Sequence, residues 1–236
     1  LKLGNIDASG DPTLASHGNI LVDGTLAPTN GANLALVAGG NILSGAGGQL
    51  DTRVLTPAGG NGGNLSLIAG ANFTVDGGGN VVLTDSANAG KGSLTGGLID
   101  LRGGNGGTGP ITLITTAGTG ATGNAGYVEM VAYAGTGTSS GSISLPSNVT
   151  VDASSVNGQR GDVKILAGSS NVGGGFVTSV GSITGKDITI GTLTPTVGSG
   201  MFFDGSGTAS NGINSFNGLN AVSNGVIQAQ GNISAT

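Results

Sequence analysis

The chain has no cysteine and no tryptophan, aromatic residues fill 3% of its 236 positions, and 8% of positions are charged. Each scarcity excludes something. Without cysteine there is neither a disulfide framework nor a thiolate metal site, so stability has to come from backbone hydrogen bonds and an aliphatic core. Seven basic residues against twelve acidic ones, with a pI near 4.4, leave no basic stripe for a nucleic-acid backbone, and no nucleic-acid partner is expected. No apolar run approaches the roughly 18 residues of a membrane helix, so no membrane span is expected, and no basic and apolar leader opens the sequence. Helix is disfavoured throughout. The 51 glycines leave no useful window free of them, and each costs about 1 kcal/mol against alanine inside a helix.

What remains is glycine and aliphatic side chains. Hydrophobic residues reach 36%, too many, with too little charge, for an intrinsically disordered chain. The glycines do not fall at every third position, which excludes collagen. Instead a unit recurs. Gly63-Asn64-Leu65-Ser66-Leu67-Ile68-Ala69-Gly70 is echoed by Ala32-Asn33-Leu34-Ala35-Leu36-Val37-Ala38-Gly39 and by Gly161-Asp162-Val163-Lys164-Ile165-Leu166-Ala167-Gly168. Its alternation at period two fits a strand with one buried side, and the closing Ala-Gly permits a sharp turn. A shorter apolar pair ending in Asp follows, in Ile20-Leu21-Val22-Asp23, Phe73-Thr74-Val75-Asp76, Leu98-Ile99-Asp100 and Val149-Thr150-Val151-Asp152. Asp23 to Leu34, Asp100 to Ile111 and Asp152 to Val163 each span eleven positions, an offset that implies a shared geometry.

Short strands with glycine turns suit a sandwich, a barrel or a solenoid, and internal self-similarity favours the solenoid, because a repeat hides its apolar face by stacking on the next. The expected fold class is all-β, a parallel β-helix with almost no α-helix, in which residues 1–236 form one elongated domain. Coils of about 20 to 30 residues would give about eight to eleven levels and a rod of about 40 to 50 Å. If the periodicity is right, Leu34, Leu65, Val128 and Val163 share one ladder. Residues 1–170 read as the more regular coils, with 46–118 the most regular stretch, and 171–236 as irregular coils carrying four of the five Phe. The chain begins inside a strand pattern at Leu1 to Ile6 and ends in one at Gly231 to Ser234, as a segment of a longer polypeptide or a processed, self-stacking unit would.

Candidate sites are few. Tyr127-Val128-Glu129-Met130-Val131-Ala132-Tyr133 holds both tyrosines and the one Glu, and alternation places Tyr127, Glu129 and Tyr133 on an exposed face. That set could stack on a sugar ring, although a surface ladder explains it as well. Met201, Phe202 and Phe203 form a second candidate contact surface, with core packing as the alternative. His17 reads as a solvated turn residue, since no second His or Cys accompanies it. The arginines Arg53, Arg102 and Arg160 each stand alone in a Gly-rich turn, and scattered acids read as isolated Asx-turns, so no glycosidase carboxylate pair emerges. Arg160-Gly161-Asp162 spells a cell-adhesion tripeptide, yet Asp162 fills the strand-start slot of Asn33 and Asn64. Gly59 to Asn64 and Gly103 to Gly107 resemble a calcium-binding nonapeptide, but Asn64 and Thr108 stand where that motif needs Asp, so calcium is weakly supported and no cofactor is expected.

The segments Ile6-Asp7-Ala8-Ser9-Gly10, Val151-Asp152-Ala153-Ser154, Leu65 to Gly70 and Asn33 to Ile42 together resemble the repeat region of filamentous haemagglutinin-type exoproteins secreted by the two-partner route. The resemblance spans nearly the whole chain. It implies a right-handed parallel β-helix, export to the bacterial cell surface, and adhesion, aggregation or matrix building by a protein that is not an enzyme. Partners would be other copies stacking end to end or laterally, with glycans or surface receptors beyond them. The alternative is a polysaccharide-binding or polysaccharide-degrading β-helix protein.

Overall fold

The computed structural model describes residues 1–55, 59–84, 92–103, 109–120, 122–137, 139–146, 148–168, 176–179, 182–192, 200–204, 206–213, 227–230 and 233–235. These residues form strands, with a single 3₁₀ turn at Thr29–Gly31 and no α-helix among them. The strands make one eight-stranded and one eleven-stranded sheet, both parallel, and one antiparallel hairpin.

The first ladder is the eight-stranded sheet: Lys2–Leu3, Ile20–Val22, Ile42–Ser44, Ile99–Asp100, Ile143–Ser144, Phe176–Ser179, Gly200–Asp204 and Ile227–Gln230. The eleven-stranded sheet divides into two further ladders because one long strand, Ser182–Thr192, belongs to both. Its first residues pair with Thr150–Asp152 and its last with Val163–Ala167. The second ladder runs through the bridges of Ile6, Leu26 and Leu50 and then Gly109–Thr115 and Thr150–Asp152. The third runs through Thr13–Ser16, Leu34–Ala38, Leu65–Ala69, Val128–Ala132 and Val163–Ala167. Through the first seven levels the chain visits first, second and third ladder in that order and then returns to the first; at the eighth the described strands, Ile227–Gln230 and Ile233–Ala235, lie in the first and second.

Each ladder turns one row of aliphatic side chains inward. Leu34, Leu65, Val128 and Val163 are in register, as the period-two reading expects, and all are buried. Beside them run Leu36, Leu67, Met130 and Ile165; the second ladder contributes Leu26, Leu50, Ile114 and Val151, and the first Ile20, Ile42, Ile99 and Ile143. These rows form one continuous core. Like stacks on like, so each level needs only aliphatic side chains of about the same volume, and few aromatics are required.

Glycine is demanded where levels come closest. A Cβ on Gly63 would collide with the Ala32 carbonyl, on Gly126 with that of Gly63, and on Gly161 with that of Gly126. This column lies just before the third ladder. Opposite it the Thr52 hydroxyl donates to the Gly63 carbonyl at 2.6 Å and the Thr116 hydroxyl to that of Gly126 at 2.6 Å, so buried backbone oxygens at the corner are satisfied.

Three expectations need correction. Phe73 to Asp76 does not repeat Ile20 to Asp23: Phe73–Val75 pairs antiparallel with Val81–Leu83, away from the ladders. The eleven-residue offset is not one geometry either, since Leu34 and Val163 lie in the third ladder but Ile111 in the second. Nor is 46–118 the most regular stretch. In the first ladder the step from Lys2 to Leu21 is 19 residues and from Leu21 to Leu43 is 22, but from Leu43 to Asp100 it is 57. Loop-closure entropy grows only logarithmically with length, so a long excursion between stacked strands costs little, and the period drifts while the register holds.

The hairpin packs on the outside of the third ladder. Val37, Ala71 and Phe73 are buried in a second, smaller cluster that includes Ala15, Ile68, Val81, Leu83 and Tyr133. These residues come from four successive levels, so the hairpin lies across them as a brace. His17 is exposed in its turn, as expected, but its ring stacks on Phe73 at 4.3 Å between centroids and 4° between planes. Asp76 closes the hairpin tip by accepting the N–H groups of Gly78 and Asn80 at 2.9 and 2.8 Å. Phe73→Ala is expected to remove about 3 kcal/mol of packing locally. Hydrogen exchange should then show amides of 73–83 losing protection while those of Val128–Ala132 keep theirs.

Candidate functional site

The outer surface of the stack is the part free to make contacts, and its polar chemistry starts from Asn and Asp at the corners. The Asn33 side-chain oxygen accepts the Asn64 N–H of the next level at 2.7 Å, and the Asn64 oxygen accepts the Tyr127 N–H at 3.1 Å. Asp11 begins the same column by accepting from Asn33. Asn19 and Asn41 do the same beside the first ladder, and Asn61 and Asn124 at another corner. Asn5 and Asp23 complete the set of nine such bonds among the described residues. In every one the acceptor side chain sits one level nearer the N-terminus than the N–H it receives. Asp162 occupies the slot of Asn33, Asn64 and Tyr127, which gives the Arg160-Gly161-Asp162 run a place in the repeat.

A second device is a fork between an Asp and the Arg two residues on. Asp51 takes Arg53 Nε at 2.9 Å and Nη2 at 2.6 Å, and Asp100 takes Arg102 Nε at 2.9 Å and Nη2 at 2.8 Å. Each Asp also accepts the backbone N–H of its Arg. Arg53 and Arg102 are therefore not solitary, contrary to the sequence reading. The signal was the twice-used Asp-x-Arg spacing, which puts both side chains on one side of an extended segment. Arg160 has no preceding Asp at that spacing, and its Nη1 is buried without a partner among the described residues.

Burial alone would push the Asp100 carboxyl up, but the Arg102 fork, its backbone N–H and its charge together hold it below its ordinary value. A group depressed in the folded state confers stability that is complete above its unfolded pKa, about 3.9, and lost as pH falls through the folded value. The urea midpoint should therefore be flat from about pH 7 to 5 and fall below about pH 4. Asp100→Asn is expected to flatten part of that fall, and an unchanged acid limb in the variant would refute the assignment.

The structure places Tyr127 exposed, at 42%, at the start of Val128–Ala132. Glu129 accepts Lys164 Nζ at 3.2 Å across the ladder, an exposed pair. Tyr133 departs from the expectation of an open face: the hairpin half-buries it, and burial followed by the Glu129 charge pushes its hydroxyl above the ordinary value. Val131, on this same side, is buried as well. Tyr127, Glu129 and Tyr133 thus share an edge, but the brace closes its far end. Met201 stands in the row of Ile20, Ile42, Ile99 and Ile143, and Phe202 in the row of Leu21, Leu43 and Asp100. The side chains of Met201, Phe202 and Phe203 lie outside the described residues, as does most of the Gly103 to Thr108 segment. Among the described residues no three His, Cys, Asp or Glu gather as metal ligands, and no helix is long and apolar enough to cross a membrane.

Comparison of the chain with protein-family models, with curated proteins and with solved structures finds no match.

Proposed function

We propose that this chain is a non-enzymatic segment of an extracellular, cell-surface filament or adhesin, built as a right-handed parallel β-solenoid. One observation carries the reading: the chain returns to three parallel ladders in fixed order, with like residues stacked level upon level. A stack of this kind stores its information along an axis and grows by repetition. Eight strands in the first ladder, at about 4.8 Å each, correspond to a rod of about 40 Å. The resemblance to filamentous haemagglutinin-type repeats supports the handedness, the cell-surface location and the adhesive role.

A parallel ladder offers backbone N–H and C=O groups to any further level, and other copies of the chain are the partners that fit them. The isolated chain is expected to associate end to end. Sedimentation velocity and negative-stain micrographs over a concentration series should show rods lengthening in multiples of the single-chain length, and a monomer at every concentration would overturn the reading. The alternative, a polysaccharide-binding or polysaccharide-degrading β-helix, is supported by the Arg53 guanidinium, held in place by its fork to Asp51. Release of reducing ends from a polysaccharide panel would establish its enzymatic form.

A further inference from the structure

A cleft of ≈ 470 Å³ opens across the first three levels at the second ladder, within the usual range for a small-ligand site. Its lining includes Asp7 from the first level, Pro28 and Asn30 from the second, and Asp51, Arg53 and Leu55 from the third. The Thr29–Gly31 turn that carries Asn30 is tied to the first level by the Thr29 N–H and the Ala8 carbonyl at 2.8 Å. Asn30 itself is held in the left-handed region, at φ 58°, a conformation Asn tolerates better than most residues.

Arg53 and Asn30 are held in place in this cleft, and part of its lining is unspent. Asp51 is 4% exposed and fully engaged by Arg53, so the guanidinium is oriented and its charge neutralised, while no other described residue accepts its remaining N–H groups. Asp7 is exposed and has no described partner. Leu55 is 70% exposed at the rim, a large apolar side chain that contributes nothing to the core. A preoriented donor, a free carboxylate, an amide and an apolar rim match a molecule whose polar groups each donate and accept and whose ring faces are hydrocarbon.

The geometry points to a neutral oligosaccharide as the ligand of this cleft. Ring hydroxyls would bridge Arg53, Asn30 and Asp7, with a C–H face against Leu55 and Pro28. The one uncompensated charge is the Asp7 carboxylate, which disfavours an acidic sugar. This deepens the surface-filament reading by naming the class of molecule the rod would hold. It does not depend on how the rods assemble.

The test is a glycan array carrying neutral hexose and N-acetylhexosamine oligosaccharides beside uronate-containing ones, followed by calorimetric titration of the best-retained neutral oligosaccharide. Retention of neutral sugars is expected, with affinity at least tenfold weaker in Asp7→Ala and in Leu55→Ser. Both residues are exposed, so both variants should keep the wild-type circular dichroism spectrum. Arg53→Gln should also lose binding, whereas Arg102→Gln, the same fork elsewhere on the surface, should bind as wild type. No retention, preference for uronates, displacement by free glycine at millimolar concentration, or unaltered binding in Asp7→Ala and Leu55→Ser would each overturn the assignment. Rods that lengthen but bind no sugar would sink this inference alone, and a monomer that binds sugar would sink only the filament.

Discussion

Gly126→Ala is expected to destabilise the chain by about 3 kcal/mol or more, at or beyond the upper end of what overpacking costs. The added methyl would meet the Gly63 carbonyl well inside van der Waals contact, and that carbonyl belongs to the backbone of the level below. No side chain can rotate away. The levels would have to part, breaking the Leu65 N–H bond to the Tyr127 carbonyl and the Tyr127 N–H bond to the Asn64 side chain, at 2.9 and 3.1 Å. Gly77→Ala is the control, because nothing lies within 4 Å of a Cβ there. It should fall within about 0.5 kcal/mol of wild type. Thermal and urea unfolding followed by far-ultraviolet circular dichroism would compare the two, and equal midpoints would refute the close-stacking account.

Leu67→Ala is expected to cost about 2 to 5 kcal/mol, the range for emptying a fully buried leucine site. Leu67 is inaccessible to solvent and lies between Leu36 and Met130 in the inward row of the third ladder. Its neighbours are held in register by backbone bonds on both sides, so the cavity cannot collapse without moving strands. In a stacked array the damage should be felt first by adjacent levels. Amides of Leu34–Ala38 and Val128–Ala132 should therefore lose exchange protection before those of Thr150–Asp152. Leu55→Ala, at an exposed position, should leave the midpoint within about 0.5 kcal/mol. A uniform loss along the whole chain would mean that the levels unfold as one unit.

The inward rows were legible because alternation marks them directly: Leu34, Leu65, Val128 and Val163 could be aligned on their own apolar pattern. The excursions were not. Phe73-Thr74-Val75-Asp76 carries the same local pattern as Ile20-Leu21-Val22-Asp23, and only the tertiary choice to pack Phe73 under His17, outside the third ladder, separates them. The same brace overrode the alternation rule at Tyr133, because a second apolar layer covers part of the outer face. At the surface, the scattered acids read as isolated Asx-turns, and Asn33 and Asn64 as the first residues of strands. Asp51, Asp76, Asp100 and Asp152 do accept an N–H two residues on, but Asn33, Asn41 and Asn64 reach to the next level instead. The two uses look alike in sequence, since both need only a short side chain with a carbonyl-like oxygen.

The common sense of those nine corner bonds gives the described levels a direction, with side-chain oxygens facing one way along the axis and the N–H groups they receive facing the other. If copies of the chain stack end to end, as proposed, a meeting that continued this column would set side-chain oxygens of one copy against N–H groups of the next. Two copies meeting tip to tip can satisfy both only if they point the same way. Under that proposal a closed two-fold pair would be disfavoured, and head-to-tail addition would yield an open fibre in which every subunit shares one heading.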